Sequence, residues 1–263
     1  MGRTRVTWLV VAAVVAAGLI SGAMANGRSS HAQTADRGFG PTPSATLVTP
    51  SAAPPVQASP APSPASGTAL ALLDALPVKN AQGGVKYQRT TDFGEAWLDM
   101  DRNGCDTRND ILARDLRGIT RNSYCEVLTG TLADPYTGQT IAFQRGEKTS
   151  ALVQIDHVVA LGDAWQTGAQ AWTQQKREEF ANDPGNLLAV DEHSNESKGD
   201  KDAAAWLPAL ASYRCAYVAR QVSVKAAYGL WVEPAEKAAM VSVLGRCPGQ
   251  PATAARFAAV LGL

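Results

Sequence analysis

Ile155-Asp156-His157-Val158-Val159, Gly185-Asn186-Leu187-Leu188-Ala189-Val190 and Asn195-Glu196-Ser197-Lys198 are three short segments from which the rest of this chain can be built outward. Residues 151–159 are mostly apolar, which predicts a short strand ending near the Asp156–His157 pair. Asn182-Asp183-Pro184-Gly185 breaks the chain, and residues 186–190 predict a second strand. Ser194 is a good N-cap, so a helix is expected from there to Trp206, ended by Pro208. Strand, strand and helix in that order predict an α+β core over residues 151–208: a short antiparallel hairpin crossed by a helix.

The polar residues in this frame suit phosphodiester hydrolysis. That reaction needs a base to activate water and a divalent cation to take up charge on the phosphate oxygens. Imidazole suits the base because it titrates near neutrality, so His157 is the candidate. The carboxylate of Asp156 suits a hard cation such as Mg²⁺, which prefers oxygen and keeps several waters. Neighbours on an extended strand point to opposite faces, which separates these two roles. Asn195, at the helix start, could supply a second metal oxygen. Asn186 could hold the loop carrying His157, and Lys198, one turn after Asn195, could reach a phosphate. An Asp-His pair by itself is a common structural hydrogen-bonding pair, so only the ordered set carries the chemical reading.

That ordered set resembles the ββα-metal (HNH) endonuclease motif, in the variant with Asn at its third position. The wider stretch includes Asp134-Pro135-Tyr136-Thr137-Gly138 and Phe180-Ala181-Asn182-Asp183-Pro184. It is similar to exported actinobacterial HNH-family proteins related to the C-terminal nuclease domain of GmrSD-type restriction enzymes. The resemblance covers about Cys105 to Cys247. It implies that His157 is the general base, Asp156 and Asn195 the metal ligands, and Asn186 the brace of the base loop. The third histidine of the parent motif is missing. His193, two residues before Asn195, is the alternative ligand. Its loss shifts the expected cofactor to one Mg²⁺ or Mn²⁺ and away from Zn²⁺.

Outside this frame the chain predicts mostly helices. Residues 69–76 predict a short helix ended by Pro77, and residues 91–98 another. The segment from Asp99 to Gly104 looks like a calcium loop, but its twelfth position is Asp110 rather than glutamate, so it is read as a polar loop. Thr107 is a fair N-cap for a helix through Leu116, with Gly118 as its stop. Residues 126–131 and 139–143 predict a hairpin around the Asp134–Gly138 turn, followed by Arg145 and Lys148, which are read as solvated. Residues 162–182 predict one helix whose Trp165, Trp172 and Phe180 face the core. Helices are also expected over 213–228, from Pro234 to Leu244 with Gly245 after it, and over 252–263.

The N-terminus has an export pattern: Arg3 and Arg5, an apolar run from Val6 to Ile20, and Ala23-Met24-Ala25. Residues 1–25 are therefore read as a cleaved signal, or alternatively as an uncleaved anchor tethering the chain through residues 6–25. Residues 26–68 are rich in Pro, Ser, Thr and Ala and are expected to form a disordered linker, leaving 69–263 as the folded domain. In an exported chain the four cysteines, none in a C-x-x-C pair, are expected to form two disulfides; three connectivities are open, and the nearest-neighbour pairs Cys105–Cys125 and Cys215–Cys247 are the ones taken. Residues 1–68 hold four of the arginines and one aspartate. Residues 69–263 are left with 20 basic and 23 acidic side chains, a net of −3. That argues against a non-specific coat on nucleic acid, but it leaves room for a nuclease gripping a short backbone segment.

The expected function is an exported, metal-dependent endonuclease acting on DNA, or on RNA, with no protein partner. The rival is a catalytically silent binding or scaffold module of the cell envelope that keeps the same frame.

Overall fold

The computed structural model describes residues 67–253. The export signal, nearly all of the linker and the helix expected at 252–263, apart from its first two residues, lie outside them.

Thr68 caps α1 (Ala69–Ala75) by accepting from the Ala71 amide. Helix α2 spans Arg89–Phe93, earlier and shorter than expected. Gly94 ends it at a φ of 76°, and a Cβ there would lie 2.8 Å from the Glu178 side chain. Helix α3 (Thr107–Asp115) is capped by Asp106, whose Oδ1 accepts from the Asn109 amide at 2.8 Å; the Thr107 hydroxyl instead donates to the Leu98 carbonyl.

Gly118 does not stop that helix. It lies inside a strand that the sequence reading missed, β1 (Leu116–Arg121), whose pairing with β2 (Val127–Ala133) is broken by register shifts. With β3 (Thr140–Gln144) these make a three-stranded antiparallel sheet, so the expected hairpin is two strands of three.

The second sheet is β4 (Val153–His157) paired antiparallel with β5, with Ile155 opposite Ala189 and His157 opposite Leu187. The single helix expected over 162–182 is two, α4 (Leu161–Gln166) and α5 (Gln174–Ala181). Gly168, at a φ of 137°, and Thr173, which caps α5 through the Lys176 amide, divide them. The aromatics still face inward: the Phe180 ring lies 4.9 Å from Tyr228 and 5.4 Å from Trp172.

Strand β5 (Leu187–Asp191) runs into α6 (Glu192–Lys198). Asp191, not Ser194, caps α6, accepting from the Ser194 amide at 2.8 Å. Gly199 in a left-handed turn ends it well before Trp206. Then α7 (Arg214–Tyr228) and α8 (Pro234–Leu244) follow, the latter with a Glu233–Glu236 capping box.

The β4–β5 hairpin is covered on both faces. Leu187, Ala189, Val153 and Ile155 pack with β1, β2, β3 and α3; Leu188, Val190 and Val158 pack with α1, α7 and α8. Burial on both faces explains why residues 187–190 are continuously apolar rather than alternating. Cys105–Cys125 ties the loop before α3 to the β1–β2 turn, and Cys215–Cys247 ties α7 to the end of α8. These are the expected pairs, each closing a loop worth about 3 kcal/mol in the chain-entropy account.

Candidate functional site

The site is built where β4 ends. Successive residues of a strand face opposite ways, so Asp156 turns toward the α1–α7–α8 side and His157 toward α5. Asp156 is buried: Lys198 Nζ donates to Oδ1 at 2.9 Å and the Tyr136 hydroxyl donates to Oδ2. Tyr136 is delivered by the Asp134–Gly138 turn. There Asp134 Oδ2 accepts from the Thr137 amide and Oδ1 from the Asp191 amide at 3.0 Å, pinning the turn to the start of α6. Burial and the neighbouring Asp156 carboxylate raise the Tyr136 hydroxyl well above its ordinary pKa, so it remains a donor.

Lys198 is placed differently from the sequence reading. Its side chain is fully buried, and the ammonium also donates to the His157 carbonyl at 2.8 Å. It faces β4 rather than solvent and cannot meet a phosphate. The reason is electrostatic: a carboxylate buried at the end of β4 requires a counter-charge, and the inward side of α6 supplies it.

His157 is also buried, with Nε2 2.7 Å from the Ala181 carbonyl. A carbonyl only accepts, so Nε2 carries the proton and Nδ1 holds the lone pair. The Trp97 indole stacks on the imidazole, with centroids 6.2 Å apart and planes at 13°. Burial, followed by the positive charge of Arg89, pushes the His157 pKa down to about 4, so the ring is neutral at physiological pH.

Asn186 is fully buried and joins the two strands: Oδ1 accepts from the Val159 amide at 2.8 Å and Nδ2 donates to the Val159 carbonyl at 3.1 Å. The loop before β5 is held from both sides. Arg114 and Arg220 each donate to the Pro184 and Leu187 carbonyls. Asn195 is half-buried on α6, and Nδ2 donates to Gln154 Oε1 at 2.7 Å. That commits the amide nitrogen and leaves Oδ1 as the atom able to bind a cation.

Asp156, His157 and Asn195 therefore line one cleft of about 150 Å³, together with Arg89 and Asp200. Asn186 and Lys198 support it from behind. His193 is exposed and does not line the cleft. Arg145 is structural rather than solvated, donating to the Val127 carbonyl and to Asn109. The Asp99–Asp110 loop closes on Asn103, which donates to Asp99, Asp101 and Asp110.

The sequence reading missed Tyr136 as a partner of Asp156, and it missed Arg89, Trp97 and Asp200. A signal existed for Tyr136, which sits in the Asp134–Gly138 stretch that carries the resemblance; nothing local marks Arg89, Trp97 or Asp200. Gly162 lies close against Asp200: its amide donates to Asp200 Oδ1 at 3.2 Å, and a Cβ there would lie 2.5 Å from the carboxyl carbon, so a larger residue would require the Asp200 side chain to move.

Among the described residues, no group of three or more His, Cys, Asp or Glu could hold a metal ion. A zinc centre made by three side chains does not fit. The oxygen donors that line the cleft, the carboxylates of Asp156 and Asp200 and the amide oxygen of Asn195, suit a hard cation that keeps most of its waters. Each carboxylate oxygen of Asp156 has a second lone pair beyond the one its partner uses.

A family model described as "GmrSD restriction endonucleases, C-terminal domain" matches residues 106–243. A protein of Arthroderma benhamiae named "Uncharacterized secreted protein" is 37% identical over 186 residues, covering 70% of this chain and 87% of the relative. No solved structure matches the chain. The matched range contains the five residues expected at the site, but Arg89 and Trp97 precede it.

Proposed function

Because the chain belongs to the family of GmrSD restriction endonuclease C-terminal domains, a nuclease family, we propose that it is an endonuclease of the ββα-metal (HNH) type, hydrolysing phosphodiester bonds of DNA. The observation that carries this is His157: a buried, neutral imidazole with its Nδ1 lone pair uncommitted, in one cleft with the oxygen donors Asp156 and Asn195.

His157 takes a proton from the attacking water at Nδ1, while the Ala181 carbonyl and the Trp97 ring fix the tautomer and the ring plane. Asp156 and Asn195 would hold one Mg²⁺ or Mn²⁺. When bound, the cation supplies charge stabilisation at the phosphate oxygens. Lys198 and Tyr136 hold both oxygens of the Asp156 carboxylate and fix its orientation, and Asn186 keeps the end of β4 in register with β5. In these terms Lys198 and Asn186 are positioning residues.

The domain is the folded part of an exported chain, with residues 1–25 as signal or anchor and 26–68 as linker. Two disulfides and a relative named as secreted support that placement. Among the described residues no helix is long and apolar enough to cross a membrane.

Plasmid nicking across Mg²⁺, Mn²⁺, Ca²⁺ and Zn²⁺ tests the reading. Cleavage with Mg²⁺ or Mn²⁺ is expected to be abolished by EDTA. It should fall by about 10²–10⁴ in His157→Ala, with circular dichroism unchanged. Absence of metal-dependent cleavage of DNA and RNA alike sinks it. One observation favours the silent-scaffold reading: the Lys198 ammonium already neutralises Asp156. Calorimetry decides between them, since specific Mn²⁺ binding lost in Asp156→Asn supports the enzyme.

A further inference from the structure

We propose that Arg89 is a phosphate-binding residue of this cleft, its guanidinium taking the non-bridging oxygens of a phosphodiester beside His157. The identity of the anion rests on the nuclease reading; the site itself rests on geometry.

Arg89 opens α2, outside both the matched segment and the β4–β5–α6 unit. The helix is anchored by Phe93, whose buried ring lies 6.1 Å from Phe180 and 6.2 Å from Trp165. That docking sets Arg89 on the wall shared by two adjoining hollows. One contains Asp156 and Asn195, the other Trp97, and His157 lines both.

Among the described residues the Arg89 guanidinium has no hydrogen-bond or ion-pair partner. The other arginines that reach the β4–β5 hairpin do not share this. Arg108 donates to the Ser150 and Val153 carbonyls, and Arg114 and Arg220 to the loop before β5. The nearby carboxylates are committed elsewhere: Asp92 accepts from the Gln88 amide at 2.6 Å, and Asp200 from the Gly162 amide at 3.2 Å. A planar fork of donors left unpaired beside a general base matches two phosphate oxygens at once. Lys198 is paired with Asp156, so among the side chains lining the cleft Arg89 is the cation without an ion-pair partner, able to meet an incoming anion.

The test compares wild type, Arg89→Ala and Arg89→Lys as full folded proteins. In EDTA, binding of a short fluorescein-labelled DNA oligonucleotide is followed by anisotropy at several salt concentrations. Arg89→Ala is expected to weaken binding about tenfold or more. It should also reduce the salt slope by about one unit. Arg89→Lys should recover the slope but only part of the affinity, because it keeps charge without the fork. Thermal midpoints should stay unchanged, since Arg89 supports nothing. With Mn²⁺ or Mg²⁺, the loss in Arg89→Ala should fall mainly on KM. If wild type cleaves and Arg89→Ala binds and cleaves equally well, the Arg89 assignment is wrong while the nuclease reading stands. If wild type binds the oligonucleotide through Arg89 but cleaves nothing, the nuclease reading fails and the anion site stands. Wild type that does not bind overturns the assignment outright.

Discussion

Two buried lysines meet carboxylates in this molecule, and they are put to different use. Lys198 pairs with Asp156 at 2.9 Å, one cation for one carboxylate, and the Tyr136 hydroxyl satisfies the second oxygen. Lys225 sits between Asp163 at 3.1 Å and Glu236 at 2.8 Å, one cation for two carboxylates, and Asp163 Oδ2 has no hydrogen-bond partner among the described residues. Asp156 borders a cleft shared with His157 and Asn195. The Lys225 cluster is enclosed by α4, α7, α8 and the Trp231 carbonyl, and Glu236 doubles as the capping-box residue of α8. The same ion-pair chemistry thus borders a cleft in one place and makes a strut between helices in the other. Both pairs are almost fully buried, so the count of charges and the side chains around each pair make the difference.

The largest effects should come from removing each lysine. Lys198→Met and Lys225→Met each strand a buried carboxylate and should cost about 3–5 kcal/mol of stability by chemical denaturation. Nicking per folded molecule should collapse only in Lys198→Met. If Lys225→Met loses the same activity per folded molecule, the contrast between site and strut is broken.

A pH series of denaturation midpoints sharpens the comparison further. Burial and the second carboxylate outweigh the single ammonium, so Glu236 is pushed up to about 7 from an ordinary 4.5. Between those values the folded state keeps a proton that the unfolded state has lost. This group therefore makes stability fall as pH rises from about 4.5 to 7. His157 runs the other way. Its folded value of about 4 against an ordinary 6.5 makes stability rise over that window and hold above it, by on the order of 3 kcal/mol. Over the shared window the two slopes oppose one another. Glu236→Gln should unmask a clear rise in stability from about pH 4 to 6.5. A Glu236→Gln profile identical to wild type would rule out titration of the sealed cluster.

The smallest effect belongs to Tyr136→Phe. Removing a hydroxyl that donates to a buried carboxylate should cost about 1.5–3 kcal/mol. Because Lys198 remains, the loss should appear in stability and in a partial fall in nicking rather than as inactivation. A variant with unchanged stability would show that Lys198 alone holds Asp156.

Much of the frame was legible in the chain because it is written locally. Apolar runs separated by Asn-Asp-Pro-Gly mark β4 and β5, and Pro234 with Gly245 mark α8 to the residue, whereas α6 was read on to Trp206 although Gly199 ends it. Helix ends were misjudged where two capping residues compete. Asp106 and Asp191 take the cap from Thr107 and Ser194 because their carboxylates are the side chains that accept from the third following amide. Strand β1 escaped notice because Gly118 imitates a helix stop, and its pairing with β2 depends on a partner beyond the turn.

By itself, the sequence determined the order of strand, strand and helix and the placement of Asp156, His157, Asn186 and Asn195 within it; of the three pairings open to the four cysteines, the disulfides follow the nearest-neighbour one. Only the tertiary structure decided which way the polar groups face and what they meet. Lys198 turns inward because Asp156, 42 residues away, is buried without any other cation; Tyr136 arrives from 20 residues upstream, and the tautomer of His157 is set by a carbonyl 24 residues on. Arg89 and Trp97 reach the site from outside the matched segment because Phe93 docks α2 on α5. Periodicity and capping are read over one or two turns of chain. The requirement that a buried charge find its partner acts across the whole fold, and it is satisfied only when distant segments pack together.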